Sequence, residues 1–181
     1  ISASGSAELL QWVIDNKIIS IDQSAKYLTK DGLNCFHTAI MNGSLSIIEK
    51  LVKYGLFDIN ARTNDGRTPL QIAVDSRNFS TVEYLLNKKV ASVNASYPKK
   101  KQTVLHKAVK EKMFDIVCLL LMNKEIDLNS KDSKEKTPEE ICSSTRIKAM
   151  FDIKKNGINN DDISKKLQKL IEAIHRADQI K

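Results

Sequence analysis

A period of 34–35 residues constrains this chain more than any other feature. Asn34, Thr68, Thr103 and Thr137 share one place in it, separated by 34, 35 and 34 residues. Asn60, Asn94 and Asn129 share another, separated by 34 and 35. Within the clearest copy, residues 64–94, Asp65-Gly66 is a turn pair whose glycine takes positive φ without a Cβ clash. Thr68-Pro69 then opens a helix. Threonine is a good N-cap, and proline suits the first helical position, where the amide hydrogen it lacks would have no partner. Leu70, Ala73 and Val74 form an apolar stripe at i, i+3, i+4. After a polar break at 75–78, Val82, Leu85 and Leu86 form a second stripe. Each period therefore predicts a turn and two short helices, and helices this short are marginal alone. The copies must stack.

A turn plus two helices at this spacing resembles the ankyrin repeat. The family pattern Thr-Pro-Leu-His-x-Ala reads Thr68-Pro69-Leu70-Gln71-Ile72-Ala73. The third copy keeps Thr103, Leu105, His106 and Ala108, and the first keeps Phe36, His37 and Ala39. Asn34 departs at the threonine position, and Cys35 and Val104 at the proline position. The resemblance implies an all-α ankyrin-repeat solenoid of helix-turn-helix units with β-hairpin-like loops.

Residues 1–30 read as an N-terminal half repeat and an extended loop, with Trp12 covering the end of the stack. Ankyrin repeats follow at 31–64, 65–98 and 99–132, then a C-terminal capping repeat at 133–151. In the third repeat Lys101 replaces the turn glycine, which predicts a less ideal hairpin, and in the cap Glu139 replaces the leucine. Residues 152–181 read as a linker and a C-terminal amphipathic helix, with Ile163, Leu167, Leu170, Ile171 and Ile174 on one face. Packing on the last repeat, on a further domain or on a second molecule would each cover that face. The chain lacks an initiator methionine and opens inside a repeat, as a piece of a longer protein would.

The charge and the cysteines bound the function. The formal net charge is +7, and 99–112 holds six lysines against one acid, Glu111. Such a run can meet nucleic acid, anionic lipid or an acidic protein, or be a solvated face. Nucleic acid is disfavoured because Tyr97 is the one aromatic beside it. Cys35, Cys118 and Cys142 lack Cys-x-x-Cys spacing, which suits a reducing, cytoplasmic setting and excludes a disulfide framework. No apolar run approaches the roughly 20 residues that span a bilayer.

No catalytic constellation survives the repeat register. His37 and His106 fall at the family's histidine position, where the resemblance implies a brace between neighbouring repeats. Gly-rich phosphate loops and zinc-ligand spacings are absent, and Glu139-Glu140 and Asp161-Asp162 read as helix openers rather than paired acids. No enzyme, cofactor or metal is expected.

The resemblance instead implies partner binding along the hairpin tips and the exposed side of each first helix. Carried over by register, these positions are Leu33, Met41 and Asn42, then Asn64, Asp65, Arg67, Asp75 and Ser76, then Lys99, Lys100, Gln102, Lys110 and Glu111. Lys30, Asp31, Ser133, Lys134 and Lys136 extend the set. Leu33, Met41 and Arg67 are the expected anchors, with Tyr97 beside Lys99 as a second cluster. The expected function is a protein–protein interaction module whose partner carries an acidic stretch. The alternative is the substrate-recruiting arm of a multidomain enzyme, a host-acting bacterial effector being one setting the family allows.

Overall fold

The computed structural model describes residues 30, 32–55, 58–88 and 93–156. The half repeat with Trp12, Asp31, and the stripe at 163–174 lie outside these residues. The chain divides into two units, Ile1–Ala91 and Ser92–Lys181.

In the first unit, α1 (Cys35–Met41) and α2 (Leu45–Lys53) form one pair and α3 (Pro69–Asp75) and α4 (Phe79–Asn87) the next. Helix α1 packs on both α2 and α3, so the core runs through the pairs. Phe36, Ile40, Ile48, Leu51, Leu70 and Leu85 fill it, each at most 1% exposed. Leu70, Ala73 and Val74 are buried as the stripe predicts, whereas Leu86 is only half-buried and Thr81 takes a core place.

In the second unit, α5 (Val104–Lys110) pairs with α6 (Phe114–Met122), and α6 packs on α7 (Thr145–Lys155). Residues Ile116 to Leu121 of α6 are all buried, as expected of a helix covered on both sides. The described residues form no extended sheet; their only bridge is an isolated antiparallel pair, Ser96 and Thr103. No helix among them is long and apolar enough to cross a membrane.

One cap opens three of the helices. Asn34 Oδ1 accepts the His37 amide at 2.9 Å, while His37 Nδ1 accepts the Asn34 amide at 3.2 Å. Thr68 and Gln71 exchange the same pair of bonds, as do Thr103 and His106. Because each histidine Nδ1 accepts, its Nε2 carries the proton. His37 Nε2 donates to Ala61 O at 2.9 Å and His106 Nε2 to Lys136 O at 3.0 Å. His106 braces the closing residue of the following hairpin and His37 the segment leading into it, a bracing role the family resemblance implies.

The hairpins also repeat. Their closing bonds run from Thr63 N to Arg67 O, Tyr97 N to Gln102 O and Asp132 N to Lys136 O, at 3.0, 2.7 and 2.9 Å. The middle hairpin encloses one more residue than the others, and this is where the period lengthens to 35. Gly32, Gly66, Lys101 and Glu135 hold one left-handed position, with φ of +72°, +80°, +50° and +58°. Lys101 therefore keeps the hairpin its sequence seemed to weaken, at the cost of a strained backbone. Glycine is obligatory at Gly32 for a further reason: a Cβ there would lie 2.3 Å from Asn64 Oδ1.

The fourth copy departs from expectation. Thr137 and Glu140 exchange capping bonds, but 138–141 makes a single turn rather than a helix. Glu139-Glu140 therefore does not open a helix. With Glu139 at the leucine position and Ser143-Ser144 following, no apolar stripe is left to bury. Ser144 instead caps α7, which continues past Phe151 to Lys155.

Candidate functional site

Among the described residues, each unit carries a groove on the side where the hairpin tips meet the first helices. In the first unit Lys30, Leu33, Met41, Asn64, Asp65, Arg67, Ile72, Asp75 and Ser76 line a groove of about 580 Å³. Gly32 and Gly66 turn the tips, and the helix starts at Asn34 and Thr68 set Leu33 and Arg67 on its floor. Met41 ends α1 and is 46% exposed, leaving its thioether chain open to a ligand. Arg67 is held on both sides: Nε lies 2.7 Å from Asp65 Oδ2 and Nη1 lies 3.4 Å from Asp75 Oδ2. The Thr63 hydroxyl also donates to Asp65. That bond holds the Asp65 carboxyl below its usual range; partial burial opposes the shift and Arg67 adds to it. Arg67, one of the expected anchors, is paired with two carboxylates, and this groove is internally neutralised.

In the second unit Lys100, Gln102, Lys110, Asp132, Ser133, Lys134 and Ile141 line a groove of about 380 Å³. Its two tips are joined by the Ser133 amide, which donates to Lys100 O at 2.9 Å. Asp132 is only 4% exposed and works for the backbone, accepting the amides of Lys134 and Lys136 at 2.8 and 3.1 Å. Burial opposes its ionisation, but these two amides prevail and hold its carboxyl below the usual range.

The grooves are built from the same repeat positions. Lys100 stands one period after Asp65, and Lys110 one period after Asp75; Gln102 stands at the position of Arg67. Where the first groove has a cation clasped by two anions, the second has two cations around a neutral amide.

Five expected positions among the described residues fall outside both linings, Lys136 among them, whose carbonyl accepts from His106 and closes the hairpin. Asn42 caps the end of α1 and is exposed. Glu111 caps α5 and pairs with Lys107 at 2.6 Å. Lys99 projects from a tip, and Tyr97 is half-buried with its backbone closing the hairpin. Tyr97 does not line the groove that Lys100 and Lys110 share. Ile72, Asp132 and Ile141 were missed; the two isoleucines stand two periods apart at one register position, a signal the repeat itself contains.

Nothing among the described residues resembles a reaction centre. No group of three or more His, Cys, Asp and Glu side chains there could hold a metal ion. Cys35 is exposed at the first position of α1, but burial of its thiol outweighs the neighbouring amides and pushes its pKa up. Burial also pushes Cys118 up, to about 11. Neither is an activated nucleophile.

Known proteins share both sequence and fold with this chain. Alpha-latrotoxin-Lg1a of Latrodectus geometricus is 30% identical over 123 residues, covering 67% of this chain and 9% of the toxin. The NF-kappa-B inhibitor cactus of Drosophila yakuba is 43% identical over 58 residues, 32% of this chain and 12% of cactus. The crystal structure of the ankyrin repeat domain of Bcl-3, a member of the IkappaB family, superposes with a TM-score of 0.65 at 26% identity. That match covers 74% of this chain and 56% of Bcl-3's. The chain thus spans only a small part of the relatives it matches in sequence. The sequence model for ankyrin repeats in three copies matches residues 1–97 and 77–132. With the capping boxes, braced hairpins and paired helices repeating at its period, this chain belongs to the ankyrin-repeat family.

Proposed function

We propose that this chain is a protein-binding module that seats a partner against its hairpin tips and first helices and performs no chemistry of its own. The observation that carries this reading is the recurrence of one set of register positions as a groove in each unit. A scaffold that repeats its backbone while changing the groove-lining side chains is suited to recognition. Similarity to a protein named as an NF-kappa-B inhibitor points the same way. The three free cysteines fit a reducing compartment.

Within the first groove the anchors are Leu33 and Met41, because Arg67 is already occupied. An affinity pull-down comparing the 181-residue chain with a Leu33→Ala/Met41→Ala variant tests the reading, once both show the same thermal midpoint. The expected outcome is a partner retained by the parent and lost by the variant, since a few buried apolar anchors dominate such interfaces. Identical partner sets would remove this groove from the binding surface.

A further inference from the structure

We propose that the groove of the second unit docks an acidic, unstructured segment of the partner protein, with neighbouring carboxylates seated among Lys100, Lys110 and Lys134. This rests on the reading of the chain as a binding module and names the partner's chemistry.

Four observations carry it. First, the three ammonium groups come from three separate backbone segments: one hairpin tip, the end of α5 and the next hairpin tip. Second, no ion pair among the described residues engages any of them, although Lys107, Lys131 and Lys155 close by in sequence are all paired. Third, the groove's one carboxylate, Asp132, gives Oδ1 to the amides of Lys134 and Lys136 and Oδ2 to Gln102 Nε2 at 3.4 Å, and it forms no ion pair with the groove lysines. Fourth, the equivalent groove in the first unit shows what a neutralised version looks like: carboxylates at the positions of Lys100 and Lys110 clasp Arg67.

Like charges lining one groove repel one another, and an anionic ligand relieves that repulsion as it binds. Gln102 and Ser133 add hydrogen-bonding groups, and Ile141 adds an apolar wall. That mixture suits a peptide, whose carboxylates alternate with apolar side chains. A phosphate backbone would use neither the isoleucine nor an aromatic stacking surface, and Tyr97 does not line the groove. The volume of about 380 Å³ is at the small end of ligand sites and admits a short stretch of chain rather than a folded face.

The test is fluorescence anisotropy of the whole 181-residue chain with a labelled peptide alternating Asp-Glu pairs with Leu. The same peptide with Asn-Gln pairs, a labelled single-stranded oligonucleotide and phosphatidylserine vesicles serve as comparisons. The acidic peptide should bind, and the triple variant Lys100→Gln, Lys110→Gln, Lys134→Gln should weaken it by about tenfold or more at low salt. Lys99→Gln/Lys112→Gln removes charge from outside the groove and should cost no more than about twofold.

Equal loss from the two lysine sets would overturn a specific groove in favour of a diffuse positive surface. No binding of the acidic peptide, equal binding of the amide peptide, or tighter binding of the oligonucleotide or vesicles would each overturn the proposal. A natural partner lost on Leu33→Ala/Met41→Ala but kept by the triple lysine variant would do so too, while leaving the module reading standing. A partner kept by both variants would remove both.

Discussion

His106 joins the cap of α5 to the hairpin that carries Ser133 and Lys134, and removing it should be costly. The ring is 0% exposed; Nδ1 accepts the Thr103 amide at 3.1 Å and Nε2 donates to Lys136 O at 3.0 Å. In His106→Ala the buried Thr103 amide loses its acceptor, at about 1–3 kcal/mol. The Lys136 carbonyl loses its donor, and the vacated ring volume adds a cavity term of similar order. The sum is roughly 3–7 kcal/mol, a large part of the 5–15 kcal/mol typical of a domain. His106→Gln should behave differently. Gln71 makes the same cap with Thr68, its Oε1 accepting the Thr68 amide at 2.8 Å. Glutamine at 106 therefore keeps the amide satisfied and gives up the reach to Lys136, at about 1 kcal/mol. Urea unfolding of the three proteins at pH 7 measures both costs, provided the slopes agree. Equal losses for Ala and Gln, or an Ala loss below about 1 kcal/mol, would refute the assignment of two distinct bonds to this ring.

Two further outcomes are expected. Lys101→Gly and Glu135→Gly should each stabilise by about 0.5–1 kcal/mol. A left-handed L-residue costs about 1–2 kcal/mol, and glycine's added chain entropy offsets part of the gain. Urea midpoints that fall instead would show that these side chains support the hairpins. His37 is held below the ordinary histidine range, first by burial and then by the Arg67 charge, with the Ala61 carbonyl opposing. The unfolded chain therefore takes up the proton first as pH falls, so His37's contribution is complete above its ordinary value of 6.5 and is lost on acidification below it. Between pH 7 and about 5, above most carboxylate titrations, wild type should lose more stability than His37→Gln; parallel losses would assign the effect elsewhere.

Backbone features were legible because each repeats with a local cause. Thr68, Pro69 and Gly66 specify a turn and a helix start in a few residues, and the period of 34–35 multiplies that evidence. The bracing role of His37 and His106 followed from their place in the family's pattern. The single turn at 138–141 was harder to see, because Thr137-Pro138 and the Thr137–Glu140 box are sound helix-start signals. The helix is lost for want of a buried face, and that depends on what packs against it. Lys101 shows the reverse: a local rule broken and the fold kept, since the bonds at 96–103 outweigh the cost of one left-handed lysine.

Charge was legible as composition and misleading as geometry. The run at 99–112 holds six lysines, yet only Lys100 and Lys110 reach the groove. Lys107 is tied to Glu111, Lys101 and Lys112 occupy left-handed turns, and Lys99 points from the tip. The third groove lysine, Lys134, comes from the next repeat, about 24 residues beyond Lys110, where the sequence reads as a mixed-charge loop. In a repeat scaffold the side chains that share a site recur at the period, so neighbours in sequence scatter and residues one period apart converge. Reading the chain down its register sets Asp65 against Lys100 and Lys134, and Asp75 against Lys110. The inversion of charge at those positions is the feature on which recognition by the second unit turns. If it is what selects the partner, Lys100→Asp/Lys110→Asp should abolish binding of the acidic peptide while leaving the fold intact, because the first unit already carries those residues at those places.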